Sequence, residues 1–118
     1  MNNIYDKAFS FAVSIVECHK VLVHRNKEYV LSKQLLKSGT SIGANISEAY
    51  GGISDADFAF KLSIAYKECL ETKYWVKLLD ATGYLHKETS QNLHSDADEL
   101  AKILYTIINR TKNRKQNT

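Results

Sequence analysis

Apolar positions recur along this chain at helical rather than strand spacing, in four segments separated by short polar breaks. In residues 4–25 one apolar stripe holds Tyr5, Phe9, Ala12, Val16 and Val23. An adjacent stripe holds Ile4, Ala8, Phe11, Ile15 and Leu22, and the polar run 24–28 ends the segment. Residues 30–50 carry Leu31, Leu35, Ile42, Ile46 and Ala49 on one side. Gly51 and Gly52 follow, glycine being the residue that accepts the left-handed conformation of a helix end. The third segment, 55–82, opens with Ser54 as a cap and with Asp55 and Asp57 at the positive end of the macrodipole. Its seam is Phe58, Leu62, Ala65, Cys69, Thr72, Val76 and Leu79, at four-then-three spacing, and Gly83 closes it. The fourth, 88–112, turns Leu93, Ala97, Leu100, Leu104 and Ile107 inward and Glu99, Lys102, Thr106 and Asn109 outward. Long helices with short connections predict an all-α, antiparallel up-down-up-down four-helix bundle as one domain over 1–118, with a basic tail at 113–118.

The stretch SGTSIGANISEAYGG at 38–52 tests that prediction, because its composition is that of a loop. A loop of this length is uncommon in a compact domain. It is not a phosphate-binding loop either, since the glycine-lysine-serine/threonine ending and a preceding strand are both missing. As a helix it keeps register: Leu35, Ile42 and Ala49 fall on one line, with Gly39, Gly43 and Ser47 as a thin strip beside it. Each interior glycine costs about 1 kcal/mol relative to alanine. Close approach of a neighbouring helix is the expected compensation.

Two further groups stand out on these helices. Phe60, Ile64, Trp75 and Leu78 form a second apolar stripe on the third helix, roughly 100 to 160 degrees from the first. Helix 1 shows a similar doubling, so Phe11 and Ile15 are assigned with those four to a subunit interface in a homo-oligomer. Asn45 and Glu48, with Lys61, Glu68 and Glu71 as counterparts, are expected to form a structural hydrogen-bond network rather than a catalytic pair.

Charge changes the picture more than composition does. The last nine residues hold Arg110, Lys112, Arg114 and Lys115 and no acid, which leaves 12 basic against 13 acidic residues elsewhere. The body is therefore close to neutral and the end is cationic, as in tails that contact nucleic acid and in tails that only solubilise. Arg25, Lys27, Lys33 and Lys37 form a second basic group. Cys18 and Cys69 sit in apolar-periodic segments and read as small buried hydrophobes of a reducing compartment, with a disulfide or metal role as the alternative. His19, His24, His86 and His94 show no ligand pair at helical spacing, so no metal and no cofactor is expected. No apolar run reaches membrane-spanning length, and the first residues lack the pattern of a secretory leader, which predicts a cytoplasmic protein with no membrane partner.

The segments QLLKSGTSIGANISEAYGG and DFAFKLSIAYKECLETKYWVKLL together resemble the four-helix-bundle proteins of the 23S rRNA intervening-sequence family, closely over residues 34–79. The SIGANI core, Glu48, the DF-x-x-KLSIA-x-KE run and the E-T-x-YW element carry the likeness. Ser47 departs from it, standing where relatives often have an acid. The resemblance implies an intracellular bacterial bundle of a family with no established enzymatic activity, similar to the accessory protein of diversity-generating retroelements. That relative is a barrel-shaped homopentamer whose basic surface binds nucleic acid and a reverse transcriptase.

Two functions follow as expectations. The first is a non-catalytic homo-oligomer, a pentamer by kinship, binding RNA or DNA through the two basic groups, whose charge five copies would multiply. The second is a scaffold that docks a neighbour-encoded protein without touching nucleic acid. An enzyme is the weakest reading, because no nucleophile elbow or Glu-x-x-His pair is present.

Overall fold

Four helices form in the computed structural model, which describes residues 3–116, with side chains from 4 to 113. They are α1 (Asn3–His24), α2 (Leu31–Tyr50), α3 (Asp55–Ala81) and α4 (Lys87–Gln116). Each packs on its neighbours in sequence, and α4 returns to α1, so the helices close a square with α2 and α4 at opposite corners. Antiparallel pairing shows in paired cross-helix contacts: Thr72 donates to the Ser38 hydroxyl at 3.0 Å and Lys61 to Glu48 at 2.8 Å between α3 and α2, and Lys73 donates to Asp98 at 2.8 Å while Tyr66 packs on Tyr105 between α3 and α4. The α1–α4 seam is the sparsest of the four.

The ends follow from local chemistry. Glu28 caps α2 from three residues outside it: its carboxylate accepts from the backbone N–H of Ser32 at 2.7 Å and Leu31 at 3.1 Å, two donors that a first helical turn leaves free. Ser54 accepts from Asp57 N at 3.0 Å and starts α3. That helix stops where Gly83 takes φ 85°, with Tyr84 N donating to Leu79 O at 2.9 Å and Gly83 N to Asp80 O at 3.1 Å, the paired bonds of a left-handed glycine end. Two expectations fail here. Gly51 sits at φ −95°, not in the left-handed region, and ends α2 by plain turn bonds to Ser47 and Glu48 carbonyls. Gly52 sits in tight space instead, because a Cβ there would push the Asp57 carboxylate aside and lie 3.0 Å from the Ala49 carbonyl oxygen. The second concerns α4, whose backbone stays helical to Gln116. Nothing in RTKNRKQ breaks a helix, and cations favour its negative end.

The small-residue stretch is helical from Ser38 to Tyr50. Its buried side is Ser38, Gly39, Ile42, Gly43, Ile46 and Ala49, while Ser47 is exposed and drops out of the strip. A Cβ on Gly39 would lie 2.7 Å from Ile15 Cγ1, so Ile15 occupies the space a side chain would need. A Cβ on Gly43 would meet the Ala8 backbone at 3.6 Å, an ordinary contact. The core is completed by Leu62, Cys69, Val76 and Leu79 of α3 and Leu93, Leu100 and Leu104 of α4. On α4 the inward position is Ile108, with Ile107 only half-buried.

Candidate interaction surfaces

Burial decides which of the two apolar stripes on α1 is core. Phe11 and Ile15 are 3% and 0% exposed, so they belong to the interior of the protomer and cannot reach another subunit. Ile15 is held there by the slot over Gly39. The surplus face of α1 is the other stripe: Tyr5 and Phe9 exposed, with Ala12, Val16 and Val23 half-buried. On α3 the assigned face is accessible, with Phe60 62% exposed and Ile64, Trp75 and Leu78 half-buried. Trp75 donates its indole N–H to Glu71 at 3.2 Å and packs edge-on against Tyr74.

At 100° per residue, both surplus faces lie on the side of their helix nearer α2. Between them α2 turns outward the small residues Thr40, Ser41, Ala44 and Ser47, with Lys33, Lys37 and Glu48 on the same face. Thr40 donates to Leu36 O at 2.8 Å and Ser41 to Lys37 O at 2.6 Å, so these hydroxyls are satisfied within their own helix. The result is a strip between two aromatic ridges, small in the middle and charged at Lys37 and Glu48.

The five residues expected to form one polar network do not. Lys61 donates to Glu48 at 2.8 Å and joins α3 to α2; this bond and the Glu48 charge raise the Lys61 pKa. Asn45 donates instead to Ser41 O of its own helix at 2.8 Å. Glu71 is taken by Trp75. Burial, then the nearby Glu71 charge, pushes the Glu68 carboxyl up, with Lys37 pulling the other way. The buried polar contact between α2 and α3 is the Ser38–Thr72 pair, whose signal was a threonine in the apolar seam and a serine beside Gly39.

The basic residues divide by the topology. Arg25, Lys27 and Lys33 lie at the end where α1 finishes and α2 begins, with Lys37 one turn further along α2. Arg110 and Lys112 lie on the last turns of α4, at the opposite end. Arg114 and Lys115 are outside the described side chains. Among the described residues the predicted cations therefore form two separate groups rather than one patch. All six described residues are exposed, and none pairs with a carboxylate, whereas Lys7, Lys20, Lys61, Lys73 and Lys102 do. Lys27 sits at φ 54°, a left-handed conformation that a lysine adopts at some cost.

Cys18 and Cys69 are free and buried; burial raises their thiol pKa values to about 11 and about 12, which keeps them protonated and unreactive at neutral pH. Among the described residues no group of three or more His, Cys, Asp and Glu could hold a metal ion, and no helix is long and apolar enough to cross a membrane.

This connectivity defines an all-α four-helix bundle protein with exposed apolar residues on one flank and cations at both ends. The family model for the 23S rRNA-intervening sequence protein matches residues 1–106, and the chain belongs to that family. A search of curated proteins gave no match. Among solved structures, the chain is similar to a protein of unknown function from the S23 ribosomal protein family of Bacteroides thetaiotaomicron VPI-5482. The two are 50% identical over 89% of this chain and 97% of the other, with a TM-score of 0.88.

Proposed function

We propose that the protein is a non-catalytic bundle that assembles with copies of itself through the α1–α2–α3 flank and binds RNA or DNA through cations repeated at the ends of the assembly. The flank carries the reading: Tyr5 and Phe9 stand on one side and Phe60 and Trp75 on the other of a strip of small α2 residues whose Thr40 and Ser41 hydroxyls are already bonded. Exposed apolar surface of that extent marks an association site. Closure of identical copies in a ring would bring each cationic group into a rim, and the family resemblance favours five copies. The six unpaired cations are free to meet phosphates, which gives binding its salt dependence.

Light scattering and salt titration test the two halves separately. The wild-type chain should run as an oligomer, and Phe9→Asp with Phe60→Asp should dissociate it while far-UV circular dichroism stays unchanged. A monomer at high concentration overturns the assembly. Binding of RNA or DNA should weaken steeply with salt, and Arg110→Glu with Lys112→Glu should weaken it further; affinity indifferent to salt overturns the nucleic-acid half.

The separation of the two basic groups favours a second reading, a scaffold that docks a protein without touching nucleic acid. Stoichiometric recovery of a protein free of RNA from the native host would select it.

A further inference from the structure

The α1–α4 seam is open. A cavity of about 610 Å³ over Val13, Cys18, Val21 and Leu93 and one of about 310 Å³ over Phe11 and Leu100 share Ser14 and Asp96, so they form one groove. Short side chains at its lips, Ser10, Ser14, Thr89 and Ser95, keep it from closing. On α1 it runs from Asp6 to Val21, about 22 Å at 1.5 Å per residue, the length of about four helical turns. Its apolar wall is accessible, with Val13 49% and Val21 47% exposed.

Charge selects what fits. The groove is lined by four carboxylates, Asp6, Glu17, Asp96 and Glu99, and by one ammonium, Lys7, on a chain whose formal net charge is +3. Lys7 is already bonded to Glu99 at 3.3 Å and Glu17 has Lys20 at 3.6 Å, while Asp6 and Asp96 have no ion pair among the described residues. Burial and then the Glu99 charge raise the Asp96 pKa, against Lys7, so an added cation would relieve it. A phosphate backbone would be repelled here. We propose that this groove docks an amphipathic helix of another protein whose apolar face is flanked by Lys or Arg. Its apolar side chains pack onto Val13, Val21 and Leu93 while its cations meet Asp96 and Asp6, the helix-in-groove mode of recognition. This site is separate from the α2-side flank and from both basic ends.

The test uses the full chain and two synthetic helices of about 16 residues with the same leucine face, one flanked by lysine and one by glutamate. Fluorescence anisotropy at low salt should show the lysine-flanked helix binding at least tenfold more tightly. Glu17→Lys with Asp96→Lys should reverse that preference, and Val13→Gln should weaken the lysine-flanked helix severalfold; all three positions tolerate change, being at the surface or groove edge. Arg110→Glu with Lys112→Glu should leave it unaltered. Equal binding of the two helices, binding of neither, or a preference that survives the charge reversal overturns the proposal. It also falls if the charge reversal dissociates the oligomer and the peptide competes with assembly, because the groove then belongs to a second copy.

Discussion

Helix α1 makes two seams, and they could hardly differ more. Against α2 it meets glycine: Ile15 fills the space over Gly39, and Ala8 lies against Gly43. Against α4 it meets a groove whose lips are serine and threonine and whose rim is mostly acidic. The same helix, with the same core stripe, is dry and closed on one side and open on the other. Removing a side chain entirely, as at Gly39, lets a neighbour's branched side chain interlock with the helix. Shortening side chains only at the lips, as at Ser10 and Ser14, leaves the helices apart with a trough between. The contrast teaches that small residues do opposite things depending on whether they lie on the line between two helix axes or beside it.

The sharpest way to break this comparison is Gly39→Ala. One added methyl must displace Ile15, which is itself fully buried, and overpacking of this kind costs about 1–3 kcal/mol, enough to offset the gain in helix propensity. Urea denaturation should show it, and the loss should disappear in an Ile15→Ala background, which removes all three clashing carbons. Gly43→Ala four residues away is expected to go the other way, raising stability by about 0.5–1 kcal/mol, since its Cβ meets only ordinary contacts at 3.6 Å. A loss at Gly43 equal to that at Gly39 would mean that α1 and α2 lie closer than described.

Acid should discriminate between the seams of α2 and α4. Asp98 accepts from Lys73 at 2.8 Å and pairs with Lys102 at 3.0 Å, and these bonds lower its pKa from 3.8 to about 2. A depressed carboxylate stabilises the fold fully above its unfolded pKa and loses that contribution as the pH falls through the folded value. Hydrogen exchange should therefore show α4 loosening between about pH 4 and about pH 2, and Asp98→Asn should flatten that part of the curve. The α1–α2 seam, without an ion pair among the described residues, should be insensitive over the same range. The smallest effect belongs to the open seam: Ser14→Ala should change stability by less than about 0.5 kcal/mol, because its hydroxyl is exposed and bonds only to Ser10 O at 3.3 Å.

Much of this architecture was legible in the residues. Periodicity located all four helices, and the register of Leu35, Ile42 and Ala49 identified 38–50 as helix despite its loop-like composition. The choice between the two stripes of α1 was not legible, because both are apolar and adjacent. Only the presence of Gly39, on another helix, decides that Ile15 and not Val16 turns inward. The polar network failed for a related reason: Asn45 donates to the backbone carbonyl of Ser41, four residues earlier in its own helix, before any neighbour is reached. The groove had no signal at all in one dimension, since it depends on the side-chain lengths of two helices far apart in the chain.

The division of the cations has a consequence for any polyanion that engages both ends of one protomer. Arg110 lies 23 residues beyond Lys87 on α4, about 35 Å at 1.5 Å per residue, and Lys87 shares its end with Arg25. At 3.4 Å per base pair, a duplex bridging the two groups must reach roughly ten base pairs. The bundle's length thus acts as a ruler, and a threshold in affinity with oligonucleotide length would be its signature.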